Sequence, residues 1–149
     1  MTEATAETEM LVRRPIEEVF DAFVEPRTIT KFWLESTSGP LAPGVRVDWR
    51  FLVPGATETA TVVDFERPHL IAFRWSDGVR VSLSFEPYAP DATRVSARAS
   101  GFGGDTLQQV VNATEGFSIV LCDLKTLLET GRSANLVRDK AELVAGAAR

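Results

Sequence analysis

The chain has 149 residues, enough for one domain that buries roughly 70% of the surface its unfolded form exposes. Its 44% hydrophobic and 25% charged composition is that of a globular protein, while a net charge of −5 and a pI near 4.9 argue against nucleic acid, which demands clustered positive charge. No apolar run approaches the roughly 20 residues a membrane helix requires, the acidic first nine residues are unlike a signal peptide, and a single cysteine forms no internal disulfide, so a cytoplasmic protein is expected.

Thr8, Met10 and Val12 alternate with Glu7, Glu9 and Arg13, which predicts a first strand with one buried face. Pro15 suits the first turn of a helix, where its missing N–H is harmless, and Glu17 and Glu18 favour the positive end of the dipole. Ile16, Val19, Phe20 and Phe23 then fall at i, i+3, i+4 and i+7, one apolar stripe. Pro26 breaks that helix, and Ile29, Phe32 and Trp33 predict a second short one. Gly39 to Gly44, with Pro40 and Pro43, reads as a turn region.

Alternation of period two next predicts strands over 45–53, 57–65, 69–75, 79–85 and 93–101, with odd-numbered residues inward. Three-residue loops (Pro54-Gly55-Ala56, Glu66-Arg67-Pro68 and Ser76-Asp77-Gly78) keep every odd residue on one face of an antiparallel meander. Gly78 is expected in a left-handed bulge. On the outer face this register sets Arg46 opposite Asp64 and Glu86 beside Arg94.

Asp105 followed by Gln108 resembles a capping box, opening a long helix from Thr106 to about Thr130. Val110, Thr114, Phe117, Leu121, Leu124 and Leu128 form its apolar line, Leu107, Val120 and Leu127 flank it, and Gly131 is a natural stop. Ile119 is apolar on the other side, to be covered by the C-terminal tail or by a second subunit in a homodimer. A short helix is expected around Val137–Val144. Residues 1–149 thus read as a single domain, with 1–5 frayed and 132–149 a tail.

The expected inward face carries large residues on some strands, among them Trp49, Phe51, Phe73 and Trp75, and small ones on others. Thr57, Thr59 and Thr61 form a hydroxyl row, while Val95, Ala97, Ala99 and Gly101 leave the last strand nearly bare, so the long helix can approach closely. Two outcomes fit: large-against-small core packing, or an aromatic-walled pocket with few polar groups. His69, the only histidine, has no Ser, Cys or carboxylate partner implied by spacing. One His, one Cys and scattered carboxylates make no metal cluster, and Cys122 lies off the buried line with no base nearby. Gly101-Phe102-Gly103-Gly104 lacks the lysine and the strand–helix context of a phosphate loop and reads as a connection. Glu115 and Asn112 fall on the solvated side. No catalytic residue, metal or cofactor is assigned.

The order of strand, two short helices, antiparallel strands and one long C-terminal helix resembles the helix-grip fold of the START-like superfamily. Particular stretches are similar to its branch named for the activator of heat-shock-protein-90 ATPase. They are Arg14-Pro15-Ile16-Glu17-Glu18-Val19-Phe20-Asp21-Ala22-Phe23, Lys31-Phe32-Trp33, Pro43-Gly44, the run from Val62 to Phe73, Glu115-Gly116-Phe117, and Leu124 to Glu129. The likeness spans Met10 to Leu143, and Phe117 stands where members often carry Trp. It implies an α+β fold, an antiparallel curved sheet wrapped around the long helix, with a hydrophobic cavity between them. It also implies a superfamily of lipid carriers, hormone receptors and polyketide cyclases. The family name implies chaperone stimulation, but members that do so resemble this chain only in their second domain, and their larger preceding domain is not in this sequence.

The expectation carried forward is non-catalytic binding of a small hydrophobic or aromatic ligand between sheet and long helix. Its lining would be Trp33, Trp49, Phe51, Thr59, Thr61, Phe73, Trp75, Phe117 and Leu121. The alternative is a cyclase- or hydrolase-like enzyme of the same fold, which needs a general acid or base within reach of its substrate. A third reading is a domain that assembles only with a partner.

Overall fold

Seven strands and four helices account for the chain in the computed structural model, which describes residues 3–147. In order they are β1 (Ala6–Val12), α1 (Ile16–Val24), α2 (Pro26–Phe32), β2 (Leu34–Thr37), β3 (Arg46–Phe51), β4 (Thr57–Glu66), β5 (Leu70–Trp75), β6 (Arg80–Ala89), β7 (Ala92–Ser100), α3 (Thr106–Thr130) and α4 (Leu136–Ala147). All seven strands join one antiparallel sheet in the order β1-β7-β6-β5-β4-β3-β2. Of the residues expected to fray, Met1 and Thr2 lie outside the described residues, and Glu3 to Thr5 precede β1 without regular structure.

Each helix follows its local signals. α1 buries Val19, Phe20 and Phe23, and Phe20 meets Phe65 and Phe85 edge-on at 5.4 and 5.2 Å. α2 starts on Pro26 and buries Ile29 and Phe32. The Asp105 side chain caps α3 by accepting from Gln108 N at 3.1 Å, and Gly131 closes it in the left-handed conformation at φ 81°. The Gln108 amide donates to Asn112 instead of reaching back, so only half of the capping box forms.

α3 packs over β1 and β7. Ala97 and Ala99 on β7 are fully covered, so the small last strand does let the helix close in. Polar ties fix its height: Thr8 Oγ1 lies 3.0 Å from Ser118 Oγ, and Lys125 Nζ donates to the Leu11 carbonyl at 2.7 Å. Glu129 accepts from Arg13 N at 2.8 Å.

Four expectations need correction. β2 is absent from the predicted strands, because a four-residue edge strand is too short to show a period. On β4 the inward residues are Ala60 and Val62, and Thr59 and Thr61 lie on the outward side of the ladder. Counted from the Phe51–Ala56 pair, where Phe51 N donates to Ala56 O at 2.9 Å, the β3–β4 loop holds four residues, Leu52 to Gly55. An even loop turns β4 over, and a bulge between Val62 and Asp64 brings Phe65 back inward. Burying two aliphatic side chains avoids burying threonine hydroxyls without partners.

The register shift also moves the outer pairs. Arg46 stands opposite Thr61, not Asp64, which faces Ala72. Arg94 does face Glu86, yet its ion pair is with Glu9 at 3.0 Å. Lastly, Leu107 is 76% exposed and does not flank the buried line, because the buried residues of α3 begin only at Phe117. The Ser76-Asp77-Gly78 turn is as predicted, with Gly78 at φ 92° and Gly78 N bonded to Trp75 O.

Candidate functional site

The strands present their aromatic residues to one another before they present them to anything else. Trp33, at the end of α2, contacts Trp49, Phe117 and Phe73 at ring separations of 5.1, 5.8 and 6.5 Å. Trp49 meets Phe73 at 5.1 Å, and Phe51 meets Trp75 at 6.2 Å. Most of these contacts are edge-to-face, the arrangement ring quadrupoles favour. The space between sheet and α3 is therefore occupied by the protein's own rings. Leu121, fully buried, belongs to this core.

Open volume lies at the margin of that core. A cleft of about 250 Å³ runs between α3 and α4 and reaches Trp33 and Trp75. Ala113, Gly116, Phe117 and Val120 of α3 form one wall, and Val137 and Lys140 of α4 the other, with Ile119 at the seam. Phe117 sits between the two tryptophans: its ring stacks on Trp75 at 12° and 6.1 Å and meets Trp33 edge-on. Of the nine residues expected to line a pocket, Trp33, Trp75 and Phe117 converge here. Trp49, Phe51 and Phe73 stand behind them, and Thr59 and Thr61 point away on the outer face.

Two features of the cleft were not legible beforehand. Gly116 interrupts a 25-residue helix at a position where an added Cβ would meet nothing within 4 Å. A mid-helix glycine costs roughly 0.5–1 kcal/mol relative to alanine, and here no close contact requires it. Trp75 Nε1, in turn, is buried without a hydrogen-bond partner among the described residues. Such orphans are uncommon, since the loss of a partner costs about 1–3 kcal/mol.

The second wall is held by a buried carboxylate. Asp123, 1% exposed, accepts from Ser133 Oγ at 2.8 Å and from Ala134 N at 2.9 Å, clamping the turn that launches α4. Farther along, Lys140 pairs with Glu115, one of the side chains expected to be merely solvated. Asp123 lies four residues after Ile119, on the side of the predicted helix away from its apolar line, and the partners that bury it come from the tail. α4 thus supplies a cover for Ile119, which is half-buried.

His69 is exposed in the β4–β5 turn, its Nδ1 a long 3.4 Å from the Phe85 carbonyl. Among the described residues no three His, Cys, Asp or Glu side chains converge as a metal site, and no helix is long and apolar enough to cross a membrane.

A seven-stranded antiparallel sheet held against a long C-terminal helix, with two short helices inserted after the first strand, defines a helix-grip protein of the START-like class. The chain belongs to the family of Activator of Hsp90 ATPase homolog 1-like proteins, which matches residues 13–129. That fold family includes ligand-binding and polyketide cyclase-like proteins. Protein SSP2350 from Staphylococcus saprophyticus is 30% identical, with a TM-score of 0.78 over 87% of this chain and 94% of that one. The Aha1 dimer from Colwellia psychrerythraea is 18% identical, with a TM-score of 0.77 over 89% of this chain and 100% of the other. DynU16, a protein in the dynemicin biosynthetic locus, is 22% identical with a TM-score of 0.78, covering 89% of this chain and 49% of its own. The last two share the fold. No curated protein matches the sequence significantly.

Proposed function

We propose that this chain is a non-catalytic binding protein for a small hydrophobic or aromatic molecule, taken up in the cleft between α3 and α4. The observation that carries the reading is the unfilled apolar volume beside Gly116, walled by Trp33, Trp75 and Phe117. Apolar walls with few polar groups suit a ligand of that kind, and about 250 Å³ accommodates a compact one. The unpartnered Trp75 N–H favours a molecule that carries a hydrogen-bond acceptor, reached by a small rotation of the indole. A flat ring fits the slot between Trp33 and Trp75 once the Phe117 ring swings aside.

The sequence-based expectation had placed the ligand between sheet and α3. Ring packing there favours the marginal cleft instead. Lys140 is the ionisable group on the cleft wall, and its ammonium is held by Glu115. An enzyme would need a general acid or base there, and a lysine engaged in an ion pair favours neither role. One domain in the cytoplasm, with its single cysteine unpaired, is the setting this reading assumes.

Native mass spectrometry of the freshly purified protein tests the idea. A co-purifying organic molecule of a few hundred daltons is expected, and saturating it should stabilise the fold by roughly 2.7 kcal/mol at 100 times its dissociation constant. Absence of any adduct, together with no thermal shift across fatty acids, polyketides and aromatic acids, would refute the proposal.

A further inference from the structure

The outer face of the sheet carries cations where the register leaves them without partners. Arg46 on β3, Thr61 on β4 and Arg74 on β5 stand directly opposite one another. Arg80 on β6 faces Arg74, and Ser100 on β7 faces Arg80. One row across five strands therefore reads Arg, Thr, Arg, Arg, Ser, with no carboxylate in it. Elsewhere on this face Arg94 bonds Glu9, and Arg98 stands opposite the carboxylate of Glu7 in the register. Arg46, Arg74 and Arg80 form no ion pair among the described residues. Like charges directly opposite on a sheet destabilise it, so the Arg74–Arg80 pair is a local cost without a structural return.

The same place is concave. Arg46, Thr59, Thr61, Arg74 and Ser76, with Val63 and Trp75 as the apolar part of the lining, border a depression of about 330 Å³. Two strand spacings, about 10 Å, separate the roots of Arg46 and Arg74, and Thr61 stands between them in the register. Two carboxylates, Asp48 and Glu58, line a separate depression next to it. Asp48 receives a long 3.4 Å bond from Thr59 Oγ1, and Glu58 already accepts from Ser76 N, Ser76 Oγ and Thr59 N. Neither reaches the arginines.

We infer that this depression is a binding site for the phosphate group of a small soluble phosphate monoester. Planar guanidinium forks match tetrahedral oxyanions bidentately, and the hydroxyl of Thr61 supplies a further donor between them. The threonines that the sequence alone had turned toward the core acquire a use on the surface. Arg46, Thr61 and Arg74 lie on the opposite face of the sheet from the cleft, Trp75 alone borders both, and the site stands whether or not the cleft binds a ligand.

Amide chemical shifts recorded at low ionic strength, while phenyl phosphate or inorganic phosphate is added, test the inference. Saturable shifts are expected at Thr61 and Arg74, with affinity falling about tenfold in Arg46→Gln and in Arg74→Gln, and phenyl phosphate bound at least as well as inorganic phosphate. Arg98→Gln, which removes a charge on β7 outside the depression, should leave affinity unchanged. Arg74→Gln should melt no lower than the parent, because it relieves the repulsion with Arg80, so lost binding there is not lost folding. The inference fails if phosphates produce no saturable shift, or if Arg98→Gln weakens binding as much as Arg74→Gln. It fails equally if only phosphatidic acid vesicles or RNA bind.

Discussion

Gly116→Leu separates the claim about space from the claim about function. The glycine lies inside α3 and over the cleft, with open volume where a Cβ would stand. Leucine is a strong helix former, so the exchange should add about 0.8–1 kcal/mol of helix stability. For a chain of this size that raises the melting temperature by about 2–4 °C, readable by calorimetry. The same side chain projects into a cleft of about 250 Å³ and competes with any ligand there. Nile red, or the co-purified molecule, should bind the variant about tenfold more weakly in a fluorescence titration, a loss of roughly 1.4 kcal/mol. A lower melting temperature would show that the space is not open. Unchanged probe affinity in a well-folded variant would show that the cleft is not where ligands go.

Asp123→Ala should cost about 1–3 kcal/mol, since it strands the Ser133 hydroxyl and the Ala134 N–H, and hydrogen exchange should then accelerate in α4 while β5 and β6 stay protected. Stability should also fall in acid. Burial pushes the Glu129 carboxyl up, but bonds from Arg13 N and Lys125 outweigh it and hold the group below its ordinary 4.5; at Glu58, bonds from Ser76 and Thr59 likewise outweigh burial. A carboxyl lowered in the folded state stabilises above its unfolded value and loses that contribution as pH drops through the folded one. Thermal melts should therefore be level above pH 5 and decline below 4.5, with a shallower decline in Glu129→Gln. Leu107→Ser, at a position 76% exposed, should change stability by no more than about 0.5 kcal/mol in urea unfolding.

Sequence by itself determined every element whose signal is local and repeated. The α1 stripe, the proline that starts α2, the caps of α3 and the Gly78 turn all rest on neighbours within a few positions, where backbone sterics and periodicity act. The ordered set of stretches from Arg14 to Glu129 also sufficed for the family. Tertiary structure decided what depends on counting across a loop or on a distant partner. One additional residue between β3 and β4 turned Thr59 and Thr61 outward and Ala60 inward, because side chains alternate and a single step exchanges faces. Whether six aromatic rings enclose a void or fill it depends on their mutual angles, which no pattern of residue types encodes. The cleft exists because Asp123 finds its hydrogen-bond donors in a turn ten residues farther along the chain, and that contact is what sets α4 against α3.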